Sequence, residues 1–134
     1  MKQLMKECIV VGSGGMIGAV GRYLMTLFVN SLSKGHPFPF STLVVNFIGC
    51  FAFGIMSGLV EHSKFITPTM KLFIMVGIIA AFTTFSTFSH DIFVMIRNNQ
   101  MMLAFFNLFI KVAFGVLAVW LGFFITRSFF SEGV

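Results

Sequence analysis

Residues 83–89 read Thr83-Thr84-Phe85-Ser86-Thr87-Phe88-Ser89, five hydroxyls and two Phe rings inside an apolar stretch long enough to cross a membrane. Backbone and hydroxyl groups at membrane depth must find partners within protein or line a polar path. The run therefore points to a pathway or binding site, not to lipid-facing wall. Residues three apart on a helix lie on neighbouring parts of one face. Phe82, Phe85 and Phe88 then form a ladder beside Thr84 and Thr87, and beside Ser86 and Ser89. An aromatic ring has a negative face and a positive edge. Rings presented edge-on, together with hydroxyl protons, suit an anion. The plain alternative is that Phe packs while Ser and Thr bond back to the preceding turn.

Asn46 lies mid-span within Ser41-Thr42-Leu43-Val44-Val45-Asn46-Phe47-Ile48-Gly49. A mid-span amide either fastens helices together or turns its NH2 toward an ion path. Arg22 and Lys111 lie nearer the interior of their apolar segments than Glu7, Glu61, Asp91 and Glu132, which fall at or near span ends. That asymmetry favours an anion over a cation as passenger. It also leaves no mid-span carboxylate for a proton-coupled exporter. Arg22 has a simpler reading as a side chain snorkelling to the interface. His36, His62 and His90 sit in or beside loops and form no ligand cluster. Cys8 and Cys50 lack metal spacing and read as small packing residues. No phosphate loop, nucleophile elbow, Cys pair or carboxylate pair is present, so nothing supports an enzyme.

Elements that place these residues must be helices in a membrane. The chain is 57% hydrophobic and 10% charged, with mean hydropathy +0.99. Such a composition predicts an all-α membrane protein. One span takes about 20 residues, which leaves room for four and for no soluble domain. The spans are expected at 8–32, 42–60, 70–96 and 102–126, in a single four-helix domain over 1–134. Breakers divide them: Lys34-Gly35-His36-Pro37-Phe38-Pro39, then 61–69 with Pro68, then Arg97-Asn98-Asn99-Gln100. The apolar run after Lys2 and Lys6 reads as a retained first span, not a signal peptide. Most of the 20 Phe read as lipid-facing bulk. The net charge of +5 comes from residues scattered mostly at span ends, where they meet headgroups of membrane lipid; no nucleic acid is implied.

Gly14 with Gly18, and Gly54 with Gly58, are small-xxx-small pairs that let helices approach closely. Four short spans make a poor pore alone, so a dimer or higher oligomer is expected. With four spans, Lys2, Lys6, Lys64, Lys71 and Arg127 fall on one side. Lys34 and Arg97 fall on the other, joined by Arg22 and Lys111 if those count. So weak a bias allows insertion in both orientations, and hence an antiparallel, dual-topology dimer.

Three segments together resemble the Fluc (CrcB) family of fluoride channels. They are Gly14-Gly15-Met16-Ile17-Gly18-Ala19-Val20-Gly21-Arg22-Tyr23, Thr42-Leu43-Val44-Val45-Asn46-Phe47-Ile48-Gly49, and the run 83–89. The resemblance implies antiparallel homodimers with two narrow pores that passively export toxic fluoride across the cell membrane. It makes Asn46 the pore asparagine that donates hydrogen bonds, and Phe85 and Phe88 the rings whose edges meet the ion. Ser86 and Thr87 would join them, and Arg22 matches the family's arginine of the first span. It also implies a broken third helix and a structural Na+ on the dimer two-fold. The backbone carbonyls of Ala80 and Thr83 from each subunit would be its ligands.

Two departures stand out. Ala80-Ala81 replaces the family's usual Gly-Gly, which makes the helix break less obvious. Asn107, Lys111 and Gly115 occupy fourth-span positions where the family commonly has hydroxyls. A Lys there would concentrate anions, trap fluoride, or snorkel. The family includes paired subunits whose pore positions decay, so a paralogous four-span partner is one alternative, and a non-conducting subunit is another. A small multidrug-type exporter is a further rival, disfavoured by the single Trp120 and single Tyr23.

Overall fold

A computed structural model describes residues 1–36 and 38–131; Glu132, which the sequence placed near a span end, lies outside them. The helices are α1 (Lys2–Leu32), α2 (Phe40–His62), α3 (Pro68–Lys71), a π-helical segment (Leu72–Ile79), α4 (Ala80–Phe82), α5 (Phe85–Arg97) and α6 (Met101–Ser131). Among the described residues, four stretches are long and apolar enough to cross a membrane: Lys2–Leu32, Phe40–His62, Pro68–Arg97 and Met101–Phe130. The first begins six residues before the expected boundary at 8, because Lys2 to Glu7 continue the helix. Charge does not stop a helix; it sets only where the helix leaves hydrocarbon.

Local chemistry explains the ends. Thr67 caps α3 by accepting from the Met70 N–H at 3.2 Å, and Pro68 fills the first turn, where no N–H is needed. Helix α5 closes with Asn99 at φ 58°, while Asn99 and Gln100 donate to the carbonyls of Ile96 and Met95. That is the paired-bond ending in which Asn substitutes for glycine.

Glycines set which helices touch. Helix α2 packs along α6, and α1 packs along the π-helical segment. A Cβ on Gly54 would run into the carbonyl of Val119, and one on Gly122 into the carbonyl of Phe51. On the other seam, a Cβ on Gly14 would stand 3.0 Å from the Gly77 Cα. Backbones this close gain dispersion and need no hydrophobic driving force, which is the way helices associate in lipid. The sequence pointed to Gly14, Gly18 and Gly54 but not to Gly77 or Gly122, which lack a partner glycine at the same spacing.

One sequence expectation needs correction. Helix α4 stops at Phe82; Thr83 (φ −72°, ψ 159°) and Thr84 (φ −146°, ψ 115°) are extended, and α5 starts at Phe85. Helical spacing does not carry across those two residues, so Phe82 is not a rung below Phe85. Its ring instead lies over Gly21 and Gly49, where an added Cβ would meet ring carbons at 3.6 and 3.4 Å. Phe85 and Phe88 remain a pair, edge to face, with centroids 5.7 Å apart.

Candidate functional site

Extended residues at membrane depth leave backbone groups without helical partners. Asn46 supplies them. Its Nδ2 donates to the Thr84 carbonyl at 3.0 Å, and the Thr84 N–H donates to Asn46 Oδ1 at 2.8 Å. Both readings of this amide therefore bear on one residue: it fastens α2 to the interruption in the third span, and it lines a cavity there. An Asn NH2 has two N–H groups, and Thr84 takes one.

Thr84 is buried and caps α5: its Oγ1 accepts from the Thr87 N–H at 3.2 Å and donates to Thr87 Oγ1 at 2.9 Å. The N–H groups of Phe85 and Ser86 precede that bond in the first turn. A helix start of this kind carries unmet donors and partial positive charge, which favours an anion.

Two cavities meet at Thr84. The first holds about 380 Å³ and is lined by Asn46, Cys50, Thr83, Thr84, Phe85, Phe88, Lys111 and Gly115, with Val112, Val116 and Val119 as apolar wall. The second holds about 790 Å³, and its lining includes Arg22, Ser41, Thr42, Thr84, Thr87 and Asp91. Of the residues singled out from sequence, Asn46, Phe85, Phe88, Lys111 and Thr83 thus share one cavity. Arg22 and Thr87 belong to the other. Ser86 is exposed and lines neither.

Lys111 does not snorkel. Its side chain is 3% exposed, its Nζ lies 3.0 Å from Asp91 Oδ2, and the same Nζ sits 5.5 Å from the centre of the Phe88 ring. Asp91, expected near a span end, stands in α5 with five residues between it and Arg97, the last residue of the third span. It is half-buried and faces the Lys111 cation on α6, a partner invisible to one-dimensional pattern. The supposed excess of interior positive charge is therefore partly cancelled.

Arg22 Nη1 makes a long contact, 3.5 Å, with the Thr83 carbonyl. The Ala80 carbonyl accepts from Thr83 Oγ1 at 3.2 Å. Each of these oxygens keeps a second lone pair, so the donor set fits a hard cation, with the Arg22 guanidinium competing for one member. Among the described residues, no group of three or more His, Cys, Asp or Glu side chains could hold a metal ion. Asn107 is fully buried, and among the described residues neither its Nδ2 nor its Oδ1 has a partner. Asp91 and Thr84 are the functional candidates that sequence reasoning passed over as individuals.

A family model described as "CrcB-like protein, Camphor Resistance (CrcB)" matches residues 9–123. The chain belongs to the CrcB family. It is 40% identical over 120 residues to a "Fluoride-specific ion channel FluC" of Elusimicrobium minutum, covering 90% of this chain and 93% of that one. A protein of the same name from Flavobacterium psychrophilum is 34% identical over 124 residues, covering 92% and 99%. One from Shewanella sediminis is 40% identical over 118 residues, covering 88% and 94%. The resemblance read from three short segments therefore extends along nearly the whole chain. With four helices able to span a membrane and relatives of this kind, the chain is a multi-pass membrane protein. These relatives are named as ion channels, not as enzymes.

Proposed function

We propose that this chain forms a passive fluoride channel in the cell membrane, as an antiparallel homodimer of oppositely inserted copies. One observation carries the reading: Asn46, Phe85, Phe88 and Lys111 line a single cavity at the start of α5, with apolar valines of α6 completing it. Fluoride is small and strongly hydrated, so a pore must replace its water with donors. The second Asn46 N–H, the first N–H groups of α5 and the ring edge of Phe85 are such donors. The Val112, Val116 and Val119 wall offers no donor, so the donors named above alone replace the ion's water. The names of the relatives supply fluoride as the passenger.

In this reading the extended pair Thr83-Thr84 is the working break of the third span. The carbonyls of Ala80 and Thr83 from each of two copies would hold a structural Na+, which would supply positive charge to carbonyls at the helix end. Thr83 keeps its own hydroxyl on the Ala80 carbonyl, and Arg22 stays beside the Thr83 carbonyl. Ser86 and Thr87 belong to the first turn of α5, and Thr87 and Arg22 line the larger cavity.

Lys111 favours a second reading, a subunit that conducts only beside a paralogous four-span partner, because an ammonium in the cavity wall opposes free release of an anion. A growth test addresses the function itself. Cells stripped of their own fluoride exporter should regain growth in fluoride when they express this chain. Unchanged sensitivity, with the protein present in the membrane, would contradict it. Finding the C-terminus on one side only would remove the antiparallel arrangement.

A further inference from the structure

The two cavities are divided where charge is densest. Lys111 lines the smaller cavity and not the larger; Asp91 lines the larger and not the smaller. Yet their side chains meet at 3.0 Å, so the ion pair crosses the partition between the two spaces, both of which Thr84 lines. The two ends differ in exposure, 3% for the Lys111 side chain and 17% for that of Asp91. The carboxylate is the end that water reaches.

We propose that this pair is an anion-competed latch: an anion in the smaller cavity takes the Lys111 ammonium in exchange for Asp91, which swings toward the larger cavity. An ammonium has three N–H donors and no acceptor. It is held here by one carboxylate oxygen and by the face of Phe88 at 5.5 Å. When the carboxylate leaves, the ring still holds the cation in place. Released Asp91 carries its charge to the wetter side, where desolvation costs less than it would beside Lys111 alone. The anion then leaves when Asp91 returns. A tethered carboxylate is a constant competitor, so it weakens anion binding and prevents trapping. Asp91 acts through Lys111, as a positioning residue.

This inference rests on the anion reading above, but its test is separate from flux. Fluoride binding to the purified protein would be titrated with sodium fluoride and followed by fluorine NMR. All variants are titrated at one and the same pH. Asp91→Asn should bind fluoride about tenfold more tightly than the parent, the scale expected when a close charge partner is removed. Asp91→Glu should restore the parent's affinity. The doubly neutral Asp91→Asn/Lys111→Met should bind more weakly than the parent, and it leaves no unpaired buried charge to unfold the bundle. If Asp91→Asn fails to purify intact, the double variant carries the test. Equal affinity of the parent and the intact variants would overturn the latch, as would no detectable binding in any of them. The stated order of affinities with no fluoride flux by the parent would support the latch and contradict the channel reading.

Discussion

Asn46 grips Thr84 by both of its backbone groups, accepting from the N–H at 2.8 Å and donating to the carbonyl at 3.0 Å. An extended residue buried among helices has nowhere else to place these two groups. The amide does for Thr84 what a neighbouring turn would do in a continuous helix. It thereby fixes where α5 starts, and with it the positions of Phe85 and Phe88. Structural fastening and cavity lining are one arrangement.

That arrangement separates two substitutions. Asn46→Ala removes both bonds and strands two buried backbone groups, at about 1–3 kcal/mol each. It should lower the thermal midpoint in detergent and broaden the elution profile. Asn46→Asp keeps the acceptor for the Thr84 N–H but sets a negative charge against the Thr84 carbonyl and in the cavity. It should purify better than Asn46→Ala yet release fluoride no faster than protein-free liposomes. Flux at the parent's rate in Asn46→Asp would remove Asn46 from the pore.

Phe85 offers a cleaner variant, because it is 78% exposed in the single chain and contributes little to its packing. Phe85→Ile keeps apolar bulk and removes the polarised ring edge. Thermal stability should match the parent while fluoride efflux falls to background. If efflux persists unchanged, the ring edge is not a contact of the ion.

Helix contact predicts an effect unrelated to ions. At Gly54 a side chain would meet the α6 backbone at Val119 and Phe123; at Gly12 nothing stands within 4 Å. Gly54→Val should therefore cost at least the ~1–3 kcal/mol typical of overpacking, seen as a lower midpoint and aggregation. Gly12→Ala, inside α1, should be neutral or up to about 1 kcal/mol more stable than the parent. Equal behaviour of the two would contradict the α2–α6 seam.

Much of this was legible before the structure. Spans follow from hydropathy, and the glycine seams from small residues four apart. That Asn46 must have a partner was also plain, because hydrocarbon offers none. What escaped was whatever depends on a neighbour far along the chain. Nothing in the spacing pairs Asn46 with Thr84, 38 residues on, or Lys111 with Asp91, 20 residues back. The Phe82–Phe85–Phe88 ladder failed because it assumed a helix through residues that are extended. The π-helical turn at Leu72–Ile79 escaped too, since an unbroken apolar run has the same look at any helical pitch.

The central claim is that this chain alone conducts fluoride. Liposomes containing only this protein, loaded with potassium fluoride and made permeable to potassium with valinomycin, put it to a direct test with an external fluoride electrode. The account predicts rapid fluoride release without any proton gradient, and no comparable release when chloride replaces fluoride and a chloride electrode is used. Release no faster than from protein-free liposomes, by a protein that elutes as a single intact species, would contradict it.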